Sequence, residues 1–347
     1  MSSNPVGTGA YAVENYIPGS SVTFVKRNDY WQSDDKRAPL SQANIGRIVY
    51  KVIPEKSQMT IALQNHDVDL AYYVQSTDIS HFEEGGDSKG FSVLAKPADL
   101  AQVIFFNCDS SSVFSNVALR QCVAYAINNA VILQNVYGNQ GGLCKTFGTP
   151  VFADYMEKWN KEDYYDYNVE KAKEKLAEAG YSAGQLNIKL MTDNGTEHQK
   201  MAQIIQAMLG QIGINVQILV YDQTLYSTYR FDPAQWDIRI DNKSSFDYIT
   251  SVWKFSFDAS MYKGATVNFY SDDKLQTLLT TSMDAKTHTP ENIDACHQYL
   301  KDICIGYGIC YGVNYYVYVD TIKNVALDFK NCVPAGACEY SDAFIGG

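Results

Sequence analysis

Residues 115–150 read SNVALRQCVAYAINNAVILQNVYGNQGGLCKTFGTP. The first half predicts one amphipathic helix. Leu119, Val123, Ala126, Ala130 and Val131 fall on one face at the 3.6-residue period, with Ile127 and Gln134 beside them. Ser115 or Asn116 can accept hydrogen bonds from the N–H groups that have no partner at a helix start. Gly138 suits the left-handed stop at the far end. A glycine-rich turn over 138–142 then leads to Thr149-Pro150. Taken alone, the stretch is a buried helix followed by a surface loop, and it carries no chemistry. The chain before it reads as part of one lobe, and most of the chain after it reads as another.

Upstream, the chain alternates strands and turns. Residues 22–27 and 45–53 are rich in β-branched residues and are bounded by Pro18-Gly19 and Pro54. Ser57 is placed to start a short helix through Leu63, and residues 69–74 and 102–106 read as buried strands. Downstream, residues 168–179 and 196–212 are helical, with Gly180 and Gly213 as stops. The alternating Leu186, Ile188, Leu190 and Ile214, Val216, Ile218, Val220 are strands. Strand, helix and strand make a βαβ unit, which predicts parallel strands and a right-handed crossover. Thr289-Pro290 is an N-cap and first-turn pair, its helix buries Ile293, Cys296, Leu300 and Ile303, and residues 306–319 return to strand character.

The charge balance, 28 Lys and Arg against 39 Asp and Glu for a net −11, disfavours nucleic acid or an anionic membrane surface as partner. No apolar run is long enough to span a bilayer as a helix, and the first residues resemble no signal peptide. Tyrosine is abundant at 26 residues, which suits a wet binding cleft as well as packing within sheets. None of the eight cysteines forms a C-x-x-C pair, so zinc and thioredoxin-like readings are weak. Cys122 and Cys296 read as small core residues, and Cys332 with Cys338 is the best candidate disulfide in an oxidising compartment. Gly7-Thr8-Gly9-Ala10-Tyr11-Ala12 formally matches a dinucleotide fingerprint, but a turn into a strand comes next where the cofactor needs a helix. There is no G-x-S-x-G, H-E-x-x-H or P-loop, and the histidines are scattered. No catalytic residue, metal ligand or cofactor emerges, and the chain is expected not to be an enzyme.

Several motifs occur in an order similar to that of the family 5 extracellular solute-binding proteins, the oligopeptide- and dipeptide-binding type that serves ABC importers. Pro5-Val6-Gly7-Thr8-Gly9-Ala10-Tyr11 resembles P-x-G-T-G-P-Y, with Ala10 in place of proline. Arg27-Asn28-Asp29-Tyr30-Trp31, Val68-Asp69-Leu70 and Phe106-Asn107 resemble further family segments. The run from Leu119 to Asn128, LRQCVAYAIN, closely resembles L-R-Q-A-L-A-Y-A-I-D/N. Lys171 to Tyr181 and Ile212 to Val216 complete the series.

The resemblance implies an α/β, bilobal, periplasmic-binding-protein-like (type II) fold. Lobe I would comprise residues 1–112 and 316–347, lobe II residues 113–315, and the crossings would lie near 107–114 and 312–320. It implies a protein that captures a small ligand between the lobes and delivers it to an ABC transporter permease. A peptide is the first expectation for that ligand, an oligosaccharide the alternative; an exported hydrolase is the reading from another class. It also implies an extracellular or periplasmic location, with a lipoprotein anchor. Because the P-x-G-T-G motif stands at residue 5, the export signal, the anchor, a small domain and the first strands of lobe I are expected to be missing, leaving lobe I incomplete. For the site, Trp236-Asp237 begins the strand that in peptide-binding members leads to an aspartate for the ligand amine. Asp247 lies close to that offset, Asp241 is the rival, and Tyr248 and Trp253 are candidate walls.

Overall fold

A computed structural model describes residues 5–244, 247–262, 268–327 and 333–340. In chain order the elements are β1 (Tyr11–Ile17), β2 (Ser21–Lys26), β3 (Arg47–Lys51), α1 (Lys56–Gln64), β4 (Leu70–Tyr72), β5 (Phe91–Phe106), α2 (Val117–Ala126), α3 (Asn129–Tyr137), β6 (Gly142–Leu143) and α4 (Val169–Glu178). After these come β7 (Leu186–Asp193), α5 (Thr196–Gln211), β8 (Ile214–Tyr221), α6 (Gln223–Tyr229), β9 (Ile238–Lys243), α7 (Ile249–Phe257), α8 (Asp273–Thr281), α9 (Pro290–Ile303), β10 (Gly306–Val319), β11 (Ile322–Lys323) and β12 (Glu339–Tyr340). They divide into two compact units, Met1–Lys96 with Val313–Gly347, and Pro97–Gly312. β5 and β10 each begin in one unit and end in the other.

In the first unit, β1, β2 and β3 form an antiparallel sheet, and β4 pairs antiparallel with β10 through Tyr72↔Tyr316. Leu63 of α1, Ala71, Val74, Ile79, Phe82, Tyr315 and Val317 make its main buried cluster. Because β1 follows the glycines of 7–9, the helix that the dinucleotide reading needs is absent there. In the second unit the strand order is β10-β5-β9-β7-β8. β7 and β8 are parallel, Leu186↔Ile214 to Asp193↔Tyr221, as the βαβ reading requires. β9 is parallel to β7 and antiparallel to β5, so the sheet is mixed. Gly213, at φ 81°, turns α5 into β8, and a Cβ there would lie 2.5 Å from that of Ala183, so only glycine fits.

The 115–150 stretch differs from the expectation in one respect. It forms two helices, with a break at Ile127-Asn128. Asn128 takes extended backbone geometry and its side chain accepts the Val131 N–H at 3.3 Å, so it caps α3 instead of continuing α2. Asn116 caps α2 by accepting from the Ala118 N–H at 2.9 Å, and Gly138 closes α3 at φ 58°. The boundary between the units also falls earlier than the expected crossing. Residues 97–112 group with the second unit because Ala101–Phe106 pair with β9. Cys122 and Cys296 are fully buried, whereas Cys332 lies outside the described residues and so does its expected pairing with Cys338.

Arg120 on α2 is 2% exposed and donates to four backbone carbonyls. Nη1 reaches Phe114 O (2.7 Å) and Ser115 O (2.9 Å). Nη2 reaches Ile303 O (2.6 Å), and Nε is shared between Ile303 O (3.0 Å) and Cys304 O (3.1 Å). The last two carbonyls end α9, where intrahelical donors run out and the helix dipole is negative. A planar fork can serve both groups at once, which a lysine ammonium cannot. Arg120→Met is therefore expected to lower unfolding free energy by about 3–5 kcal/mol, because several buried carbonyls lose a charged donor at roughly 1–3 kcal/mol each. Arg120→Lys should recover only part of it. Urea titration checks this, and a loss under about 1 kcal/mol for the Met variant would contradict it.

Candidate ligand-binding site

The segment that carries Asp247 runs from the end of β9 to the start of α7. Two neighbouring residues pin its backbone. The Ala153 N–H donates to Asp247 O at 3.1 Å. The Asp154 carboxylate accepts from the Ile249 N–H, the Thr250 N–H (3.2 Å) and Thr250 Oγ1 (2.7 Å). Asp154 therefore does the capping that α7 requires, since Tyr248 at the N-cap position makes no side-chain cap bond. Asp247 is exposed: its backbone carbonyl is held by the Ala153 N–H and its side chain is open to solvent. Tyr248 exposes 43% of its surface and rests edge-on against His288, ring centroids 5.3 Å apart.

Asp241 is differently employed. On β9 the period of two places Arg239, Asp241 and Lys243 on one face. Arg239 is fully buried, with its guanidinium 4.1 Å above the Phe105 ring and 5.1 Å from that of Trp236. Its Nη1 donates to Asp241 Oδ2 and to Tyr226 OH, and Lys243 Nζ lies 3.3 Å from Asp241 Oδ2. Burial by itself would push the Asp241 carboxyl up, but Arg239 and Lys243 outweigh it and hold it below the usual carboxylate range. Burial leaves the Lys243 ammonium below its ordinary value, against the pull of Asp241. Asp241 is thus the counter-ion of a buried cation, which corrects its place as the rival anchor for a ligand amine.

Trp253 is also corrected. It is fully buried, its Nε1 donates to Phe147 O at 3.1 Å, and its ring lies 5.9 Å from that of Trp159 and 6.3 Å from that of His297. It packs the core of the second unit and offers no face to a ligand. A second buried polar group has no signature in the sequence: His198 on α5 bonds through Nδ1 to Asp193 (2.9 Å) and through Nε2 to Gln102 (2.8 Å). Asp193 and His198 are too far apart for one helical turn, and Gln102 is remote, so only the fold brings them together. Among the described residues, no group of three or more His, Cys, Asp or Glu is arranged to hold a metal ion.

The family model described as bacterial extracellular solute-binding proteins, family 5, middle region, matches residues 2–275. The chain belongs to this family. The chain is similar to heme-binding protein A of Haemophilus influenzae, 28% identical over 65% of this chain and 39% of that protein. The dipeptide-binding protein of Escherichia coli is 24% identical over 63% of this chain and 39% of the relative. The oligopeptide-binding protein AppA of Bacillus subtilis, solved in complex with a nonapeptide, superposes with a TM-score of 0.75 at 17% identity, over 97% of this chain and 67% of that one. This family 5 chain thus shares the type II periplasmic-binding-protein fold and spans about two fifths of the two curated relatives. No described helix is long and apolar enough to cross a membrane.

Removing the charge at Asp241 tests the cluster. Asp241→Asn leaves Arg239 buried without its counter-ion, and the expected loss at neutral pH is about 3–5 kcal/mol. A carboxyl held low in the folded state contributes its stability above the unfolded value, about pH 4, and loses it as pH falls through the folded value. Wild type and variant should therefore converge in acid. Urea unfolding from pH 7 downwards measures this, and a constant gap throughout would contradict the assignment.

Proposed function

We propose that this chain is the ligand-capturing part of a solute-binding protein that delivers a peptide to an ABC importer, and that Asp247 receives the free amine of that peptide. The observation that carries the reading is the pairing of an open carboxylate with a pinned backbone. Asp154 and Ala153 fix the segment, Asp247 remains exposed, and Tyr248 beside it presents a half-exposed ring. An ammonium group that leaves water needs such a counter-ion, and a flat amphipathic ring suits the apolar part of a residue next to it. The name of the Escherichia coli relative and the nonapeptide bound by the Bacillus subtilis protein support the same ligand class. In this proposal the protein works outside the cytoplasmic membrane, in the extracellular space or periplasm, with a lipid anchor on the whole protein, and performs no catalysis. An oligosaccharide is the second reading, favoured by the exposed Tyr248 ring; it has no use for the Asp247 charge.

Calorimetric titration of the whole protein separates the two. Asp247→Asn should weaken binding of a free-amine peptide by roughly 2–5 kcal/mol, the range for truncating one partner of an enclosed charge pair. N-acetylated peptide should bind the wild type about as poorly as free peptide binds the variant. Equal affinity of wild type and variant for the free-amine peptide would remove Asp247 from the site, and turnover of any ligand would overturn the binding-protein reading.

A further inference from the structure

Helix α8 ends at Thr281 and Ser282, whose carbonyls lie beyond the last intrahelical donors. Two side chains further along the chain supply what is missing. Thr287 Oγ1 donates to Thr281 O at 2.8 Å, and His288 Nδ1 donates to Ser282 O at 2.6 Å. A carbonyl only accepts, so Nδ1 carries a proton and this bond orients the imidazole. The His288 N–H bonds Asp284 O at 2.8 Å, and Asn292 Nδ2 bonds Thr287 O at 2.8 Å. The loop between α8 and α9 is thus tied at several points, and His288 stands in it partly buried.

The capping bond uses one ring nitrogen and leaves the rest of the imidazole for another contact. Tyr248 takes it. The two rings meet edge to face, centroids 5.3 Å apart and planes at 71°. Tyr248 exposes 43% of its surface, and its side chain makes no capping bond at the start of α7. A half-exposed tyrosine held only through its own backbone has several staggered rotamers open to it. Contact with an imidazole that is itself fixed selects one. Asp247, Tyr248, Ser282 and His288 all belong to the second unit.

We propose that His288 is a positioning residue for ligand capture: bonded to the end of α8, it fixes the Tyr248 ring beside the open Asp247 carboxylate. The proposal rests on the peptide-capture reading above and adds to it what sets the aromatic wall. Substitution separates the two duties of His288. Asparagine offers an amide N–H in place of Nδ1 and has no ring, whereas phenylalanine keeps a ring and loses the donor.

In the whole protein, His288→Asn should melt close to wild type. It should bind peptides roughly three- to tenfold more weakly, the scale of an edge-to-face aromatic contact. His288→Phe should melt lower, for want of the donor to α8, yet bind within about threefold of wild type while folded. Tyr248→Ala should weaken the same peptides at least as much as His288→Asn. The double variant should then be no weaker than Tyr248→Ala alone, because His288 acts through that ring. Titration with a free-amine peptide library, with maltooligosaccharides in parallel, gives the readout. Losses that add in the double variant, or no loss in His288→Asn or in Tyr248→Ala, would overturn the role of His288; a loss in Asp247→Asn would still leave the peptide reading standing. Equal losses in His288→Asn and His288→Phe would assign the effect to the end of α8 and also overturn it. Wild-type affinity in Asp247→Asn, with the double variant no weaker than Tyr248→Ala, would remove the amine contact and keep His288. If the wild type takes only the sugars, the peptide reading fails, and the same set of variants titrated with sugar decides for or against His288. A wild type that binds neither overturns both.

Discussion

A buried guanidinium ties the segment before α2 to the end of α9 in the second unit. Arg120 is bonded to the carbonyls of Phe114 and Ser115, just before α2, and to those of Ile303 and Cys304, which end α9. Cys304 is left-handed, at φ 47°, and β10 begins two residues later at Gly306. The entry to the 115–150 stretch and the turn that launches β10 therefore share one cation. Phe114, whose carbonyl it takes, is fully buried against Phe106 at the end of β5. β5 and β10 are the strands common to both units.

Much of this architecture is legible in the sequence because each signal is local. Asn116 and Thr289 are caps, Gly138 and Gly213 are left-handed, and the alternation over 186–193 and 214–221 is that of paired strands. The break at Asn128 is concealed by apolar periodicity, which Ile127 and Val131 continue across it. A side-chain oxygen that prefers to cap outweighs the helical pattern at that point. β5 reads short in sequence for a related reason. It contains Pro97, which cannot donate to a ladder, and the chain changes unit there.

The site divides along the same line. Asp247 and Tyr248 stand exposed, where a segment between a strand and a helix leaves them. Trp253 is core although it resembles a cleft wall, and the signal for that is present: Ile249, Val252, Trp253, Ser256 and Phe257 follow the helical spacing of a buried face. Asp241 belongs to the core cluster because its partners alternate with it on a strand, at Arg239 and Lys243, and that pattern outweighs a motif offset.

The proposed capture of peptides is tested by what the whole protein carries when isolated gently from its own host. Native mass spectrometry followed by fragmentation of the released ligand reads this without choosing a probe. A set of peptides with free amino termini, each fragmenting at amide bonds, is the expected result. A bound population of hexose-spaced masses, or of a single heme, would contradict it.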